Sequence, residues 1–179
     1  MRRSLAATLV LLASCRSEPR AAVRPDTLPL TTAADSTPSS GGPGTIDDAR
    51  MEVQGLRIDM PEWAVQQALG KPTQTAAPRF NKLVGDTMID WEYPGIFVTF
   101  DDQRVFSVVC GAESCATPDS VRVGTPRADV LATYGPPAAD PESGDTVLKY
   151  VARRHTACWL EFGLAAQRVR TISILCSSD

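Results

Sequence analysis

The 179-residue sequence contains a single histidine, His155. Any catalytic triad or metal cluster that uses histidine would therefore have to include this residue. It lies in Arg153-Arg154-His155-Thr156, a stretch typical of a solvated turn between two strands. No motif indicates a serine–lysine pair either. We therefore expect a protein that is not an enzyme, and an enzyme with an unrecognised site is the third of three functional hypotheses.

Concentrated positive charge and glycine-rich phosphate loops are also missing. Over residues 51–179, 12 Lys plus Arg stand against 16 Asp plus Glu, a net charge of -4. Surfaces that bind nucleic acid normally concentrate positive charge, so no nucleic-acid partner is expected. Asp140, Glu142 and Asp145 share one loop, but a calcium loop that began at Asp140 would need glycine where Asp145 stands. No metal, cofactor or small-molecule substrate is indicated.

Long hydrophobic runs are absent except near the N-terminus. Arg2 and Arg3 precede a mostly apolar stretch from Leu5 to Ala13. At about 1.5 Å per residue this stretch spans roughly 13 Å, whereas a hydrocarbon core is about 30 Å thick, so it cannot be a stable membrane span. A basic start, a short apolar middle and small residues before a cysteine predict an export signal over residues 1–14.

The residues that end this stretch, Leu12-Ala13-Ser14-Cys15, resemble the bacterial lipobox. The resemblance implies that Cys15 receives a diacylglyceryl thioether and that its new amine is acylated, for example with palmitate. Two or more acyl chains hold a protein stably on a membrane. Arg16 follows the cysteine, which in the enterobacterial sorting rule favours the outer membrane, facing the periplasm, over the inner membrane. The alternative is an ordinary export signal with an incidental cysteine.

Residues 15–50 are rich in proline, serine, threonine, alanine and glycine, as in the stretch from Thr37 to Gly44. Such a segment cannot bury enough apolar surface to offset the entropy lost on ordering. We predict a disordered tether that follows the lipidated Cys15. A flexible coil of about 35 residues has a typical end-to-end distance of roughly 30 to 35 Å, which would hold the folded part near the membrane.

Four cysteines remain after Cys15 is set aside, and an even number in an exported chain indicates two disulfides with three possible pairings. We favour Cys110 with Cys115, because the four residues between them suit a tight loop, and Cys158 with Cys176. A zinc site is the alternative, but this spacing lacks the paired short knuckles of such sites.

Two stretches of the remaining chain are similar to each other. Leu56-Arg57-Ile58-Asp59-Met60-Pro61 aligns with Val121-Arg122-Val123-Gly124-Thr125-Pro126, and Gly85-Asp86-Thr87 aligns with Gly144-Asp145-Thr146. The order of features predicts a tandem duplication, with one unit over 51–117 and a second over 118–179. Each unit is expected to contain one short helix followed by three antiparallel strands, an α+β fold with the helices on one sheet face.

Local signals mark the expected elements. Pro61 and Pro126 suit the first residue of a helix, and Gly70 and Gly135 suit its end. Apolar residues alternate with others at period two in two predicted strands, at Ile96, Val98, Phe100 and at Cys158, Leu160, Phe162.

Most of the chain from Leu56 to Leu175 resembles the SmpA/OmlA/BamE family and the related β-lactamase inhibitor protein fold, itself a tandem duplication, and the first unit carries the resemblance best. Leu69-Gly70-Lys71-Pro72, Trp91-Glu92-Tyr93 and Val98-Thr99-Phe100 carry this resemblance, whereas the second unit departs from it with Tyr134-Gly135-Pro136-Pro137 and without a tryptophan at Tyr150. The resemblance implies a fold and a habit of binding proteins, and it implies no chemistry.

Phe97 and Trp159 occupy equivalent strand positions on the face opposite Val98 and Leu160. If helices cover the Val98 face, these aromatics either bind a partner or form a core between the two units. The first hypothesis is a lipid-anchored envelope protein that acts as a scaffold or assembly accessory for an envelope or exported protein. The second is an inhibitor or sequestering protein for an exported enzyme.

Overall fold

The computed structural model describes residues 42–82, 85–139 and 144–177. The predicted export signal, the lipidated Cys15 and most of the predicted tether lie outside these residues, as do Asp140 and Glu142 of the acidic loop. Neither described α-helix is long and apolar enough to cross a bilayer.

Strands dominate the described residues, with two α-helices of eight residues each. In chain order the elements are β1 (Thr45–Ile46), β2 (Glu52–Val53), β3 (Leu56–Arg57), α1 (Glu62–Leu69), β4 (Gln74–Thr75), β5 (Arg79–Asn81), β6 (Asp86–Tyr93), β7 (Ile96–Asp101), β8 (Arg104–Cys110), α2 (Arg127–Tyr134), β9 (Val147–Ala152), β10 (Cys158–Ala165) and β11 (Arg168–Cys176). Short 3₁₀ turns precede β2 and β9, at Asp48–Arg50 and Gly144–Thr146.

One nine-stranded mixed sheet organises the fold. Its strand order is β1-β9-β10-β11-β8-β7-β6-β4, and β5 also pairs with β6. β1 runs parallel to β9, and the other pairs are antiparallel. The two halves of the chain join through β8 and β11, where Ile172 lies opposite Cys110 and Ile174 opposite Val108. β2 and β3 form a separate two-stranded sheet.

The predicted fold class, an α+β tandem of a helix followed by three strands, is therefore wrong. The chain is mostly β, and residues 51–117 and 118–179 contribute to one large mixed sheet. The strands β1, β4 and β5 and the separate β2–β3 pair have no place in the predicted unit. These strands are two or three residues long, too short for a period-two pattern to reveal them.

The helix ends follow the proline and glycine signals closely. Pro61 and Pro126 are N-caps with extended backbone, so each helix begins one residue after the predicted start. Gly70 and Gly135 end the helices with φ of 83° and 77°, a region that strains any residue with a Cβ. The hydroxyl of Tyr93 donates to the carbonyl of Gly70, which satisfies a helix-terminal acceptor.

A single hydrophobic core lies against one face of the sheet, which we call the core face. Val65 of α1 and Val130 of α2 are fully buried in it. Alternate residues of the long strands complete it, as the period-two pattern predicts: Trp91, Ile96, Val98, Phe100, Val108, Leu148, Tyr150, Leu160, Phe162, Ile172 and Ile174.

Both predicted disulfides are present. Cys110 bonds Cys115 across the short loop that follows β8, and Cys158 bonds Cys176 between β10 and β11. Cys158 and Cys176 lie directly opposite each other in the antiparallel register, so this bond closes the end of the β10–β11 hairpin.

Residues 45–50 belong to the fold, although the sequence assigns them to the tether. Ile46 of β1 is buried, and the backbone N–H groups of Val151 and Arg153 donate to the carbonyls of Gly44 and Ile46. The low-complexity stretch ends near Gly44. The next six residues contain so few apolar side chains that composition alone does not distinguish them from the tether.

Arg50 holds this segment to the second half of the chain. Its Nε donates to Oδ2 of Asp119 at 2.8 Å, its Nη2 donates to the carbonyl of Thr133, and its guanidinium lies 4.2 Å from the ring centroid of Tyr134. We call Thr45–Ile46, Asp48 and Arg50 the N-terminal latch.

Arg50→Ala should lower the free energy of unfolding by about 1–2 kcal/mol, because it removes a cation–π contact together with an ion pair whose side chains are only 29% and 30% exposed. Urea titration of the variant measures the change. Arg153→Ala is the matched control, since its Nη1 lies 3.9 Å from Asp47 at an exposed site, and about 0.5 kcal/mol or less is expected. Equal losses in the two variants would contradict the role of Arg50.

Candidate protein-binding surface

The face of the sheet opposite the core carries a continuous row of side chains across five strands. Successive members lie directly opposite one another in the register, and Trp159 and Leu175 form a second pair on the same face. We call this set the open face: Phe97, Val109, Ser173, Glu161, Lys149, Trp159 and Leu175. Its members come from β7, β8, β11, β10 and β9. Because these strands are hydrogen-bonded to one another in that order, the distances between the side chains are set by the sheet.

Phe97 is the most exposed apolar side chain of the open face. It is 50% exposed, although its chain neighbours Ile96 and Val98 are buried on the other face. Alternation along β7 therefore presents its ring to solvent from a rigid strand in the middle of the sheet. A side chain ordered in advance loses little entropy when a partner covers it.

Trp159 is partly buried, and charged neighbours hold its ring. The ammonium of Lys149 lies 4.1 Å from the ring centroid, and the indole Nε1 donates to Oε2 of Glu161 at 3.3 Å. A cation over the ring and a carboxylate at its edge suit the charge distribution of indole. The open face thus has an apolar end at Phe97 and an amphipathic end at Trp159.

Phe97 and Trp159 do not form a core between two units. Three strand spacings separate β7 from β10, roughly 14 Å in all, so the two rings do not pack on each other. The half-exposed state of Phe97 excludes the same alternative. Both aromatics lie on one face of one sheet. They would have to do so if they bind the same partner.

A polar network lies on the same face beyond Phe97. Two of the guanidinium nitrogens of Arg79, Nε and Nη2, donate to the carboxylate of Asp90 at 3.0 and 3.2 Å. The hydroxyl of Thr99 donates to the same carboxylate at 2.8 Å. Burial alone would raise the pKa of Asp90, but the bonds from Arg79 and Thr99 outweigh it and hold the pKa below its ordinary value. The stability that this carboxylate contributes is present above its unfolded pKa and is lost as the pH falls through the folded pKa.

His155 lies in the loop between β9 and β10, as the sequence predicts. Its Nδ1 is 2.6 Å from Oδ2 of Asp48, and Oδ1 of Asp48 accepts the backbone N–H of Arg154 at 3.0 Å. Burial opposes ionisation of Asp48, but the Arg154 N–H and His155 together lower its pKa. Among the described residues that line the adjacent cavity, none carries a hydroxyl, and Cys158 is in a disulfide.

No local pattern in the sequence indicates the contacts that Asp48 and Arg50 make. Asp48 meets His155 across 107 positions, and Arg50 meets Asp119 across 69. Contacts over such separations depend on how the sheet closes, which local patterns do not determine. Asp145 of the acidic loop lies in the 3₁₀ turn before β9. Among the described residues, no three or more His, Cys, Asp or Glu side chains are grouped so that they could hold a metal ion.

No protein-family model matches the chain, and no curated protein matches it significantly. Solved structures that are similar to it include the following two. One is a cysteine-rich secretory protein from Staphylococcus aureus, 11% identical, with a TM-score of 0.46 and coverage of 73% of this chain and 46% of that one. The other is an extracellular protein containing a SCP domain from Bacillus anthracis, 8% identical, with a TM-score of 0.47 and coverage of 78% and 49%.

The chain therefore spans less than half the length of either protein, and similarities at these TM-scores carry no argument about function. The expected membership of the SmpA/OmlA/BamE family is wrong, because no family model matches the chain and its two halves form one mixed sheet instead of the tandem units that the resemblance implied. The motifs that suggested the family, such as Leu69-Gly70-Lys71-Pro72, mark a helix end that many folds share.

Proposed function

We propose that this chain is a lipid-anchored, non-enzymatic protein of the cell envelope that binds an envelope or exported protein on its open face, as a scaffold or assembly accessory. The observation that carries the proposal is Phe97, half exposed in the middle strands of a rigid sheet. An exposed large apolar side chain of this kind marks a binding surface when other apolar side chains share its face. Val109 lies directly opposite Phe97, and Trp159 and Leu175 lie farther along the same face.

Three features support the location. The two disulfides fit an oxidising compartment outside the cytosol. The N-terminal residues predict an export signal followed by the lipidated Cys15. Arg16 favours the outer membrane, with the protein facing the periplasm.

The chemistry of the open face favours a partner surface that is apolar at one end and amphipathic at the other. An apolar group would cover Phe97 and Val109. The indole of Trp159, with the ammonium of Lys149 over its ring and Glu161 at its edge, would cover an amphipathic part of the partner. Aromatic anchors with charges at the rim are common in specific protein interfaces.

The double substitution of Phe97→Ser with Trp159→Ser should abolish co-purification of the partner after mild cross-linking in intact cells. Loss of two aromatic anchors commonly costs 2 kcal/mol or more each, which corresponds to about a thousandfold or greater loss of affinity. Stability should fall by about 1–2 kcal/mol, because Trp159 is partly buried and also loses its contact with Lys149. Quantitative mass spectrometry of the cross-linked material and a melting curve measure the two effects.

The chain supplies a matched control for this test. Phe80 and Trp63 are also one phenylalanine and one tryptophan, 65% and 69% exposed, and neither is on the open face. Phe80→Ser with Trp63→Ser should retain the partner. Loss of the partner in both doubles, or in neither, would contradict the assignment of the open face. Co-purification of a multicomponent assembly favours the scaffold, whereas a single exported hydrolase favours the inhibitor hypothesis.

A further inference from the structure

A small cavity lies on the opposite side of the sheet from the open face, where the N-terminal latch meets the ends of β9 and β10. Its volume is about 170 Å³. Ala152 and Cys158 form its sheet side, and both belong to the core face. Met51 and Ile58 close it from the segments before β2 and after β3.

The wall of this cavity is apolar and rich in sulfur. Met51 contributes a thioether and Cys158 a disulfide sulfur, and sulfur makes favourable contacts with aromatic rings. The volume is close to that of a protein cavity of about 150 Å³ that binds benzene. The wall and the volume together suit one six-membered aromatic ring.

The rim of the cavity is polar, unlike its wall. Asp48, His155, Arg57 and Asp59 line it. Both carboxylate oxygens of Asp48 are occupied, by the Arg154 N–H and by Nδ1 of His155. Nδ1 therefore points to Asp48, and Nε2 of His155 has no hydrogen-bond partner among the described residues. When Nδ1 carries the proton, Nε2 of the neutral imidazole is an acceptor.

We propose that this cavity binds a phenolic ring, with the ring against Met51, Ile58, Ala152 and Cys158 and the hydroxyl donating to His155 at the rim. The ring could be a free phenolic molecule or a tyrosine side chain of a protein. The site is separate from the open face and uses none of its residues, so either proposal can fail without the other.

Methionine methyl NMR tests the site with p-cresol as the probe. Met51 lines the cavity, whereas Met88 is buried on the other side of the sheet beside Asn81. In the full chain carrying Cys15→Ser, labelled with methyl-¹³C methionine, p-cresol should shift the Met51 methyl saturably with a Kd on the order of 1 mM. The Met88 methyl should stay in place. The proposal would be overturned if the Met51 methyl resonance did not move at p-cresol concentrations up to roughly 10 mM, or if the Met51 and Met88 methyls moved equally.

Two variants locate the ring and the hydroxyl. Ala152→Leu fills the cavity and should abolish the Met51 shift. His155→Leu changes an exposed loop residue, which keeps the variant folded, and it should weaken p-cresol binding about three- to tenfold while leaving toluene binding unchanged. Equal effects on p-cresol and toluene would remove His155 from the site. A capped Gly-Tyr-Gly peptide that shifts Met51 as p-cresol does indicates a tyrosine side chain, and binding of p-cresol alone indicates a free phenolic molecule.

Discussion

Phe162→Ala should lower the free energy of unfolding by about 3–5 kcal/mol, the largest stability effect that we expect from one substitution in this chain. Phe162 is fully buried in β10. Its ring lies 5.3 Å from that of Tyr134 in α2 and 6.0 Å from that of Tyr150 in β9, so its removal opens a cavity where a helix meets two strands. The surrounding backbone is hydrogen-bonded on both sides of β10 and cannot collapse to fill it.

Urea unfolding followed by tryptophan fluorescence measures this loss. Phe80→Ala is the matched control, because the same side chain is removed from a site that is 65% exposed, and a loss of about 0.5 kcal/mol or less is expected. Similar unfolding midpoints for the two variants would show that Phe162 is not a central core residue.

Cys15→Ser should move the protein from the membrane fraction to the soluble fraction almost completely. Serine has no thiol, so the diacylglyceryl thioether cannot form, and the acyl chains that would hold the protein are lost together. Two or more chains give stable attachment, so their removal is expected to produce an all-or-none redistribution. Membrane flotation and incorporation of labelled palmitate measure location and lipidation in the same cells.

A double variant separates lipidation from cysteine chemistry in general. Cys110→Ser with Cys115→Ser removes the loop disulfide and keeps Cys15, so it should remain in the membrane fraction and keep its label. Membrane association of the Cys15→Ser protein after an alkaline wash would contradict the anchor, whatever the double variant does.

The sequence predicted well those features that depend on neighbouring residues. Alternation at Ile96, Val98 and Phe100 identified β7 and its buried face, and Gly70 and Gly135 identified the helix ends. Both disulfide pairs followed from the cysteine count and one short loop. These features need only short-range sterics or close positions in the chain.

Features that depend on distant residues were wrong or unforeseen. The β8–β11 pairing, which joins both halves in one sheet, brings Ile172 opposite Cys110 although 62 positions separate them. The latch contacts of Asp48 and Arg50 span still larger separations. For the candidate site, alternation placed Phe97 and Trp159 off the core face, but only the sheet order shows that they share one continuous surface. The cavity near His155 combines three separate segments, residues 48–51, 57–59 and 152–158, and had no local signal.

The parallel pairing of β1 with β9 has a mechanical consequence. If the chain before Gly44 is attached to a membrane, any pull on the domain enters through β1. A pull along the strand loads the two bonds at Val151 and Arg153 side by side, in shear, so they resist together instead of opening one after another. Arg50 and Asp48 lie beyond these bonds and take up load only after β1 has slipped. The domain would therefore withstand tension at its anchor in two stages, with the core behind β9 undisturbed by the first.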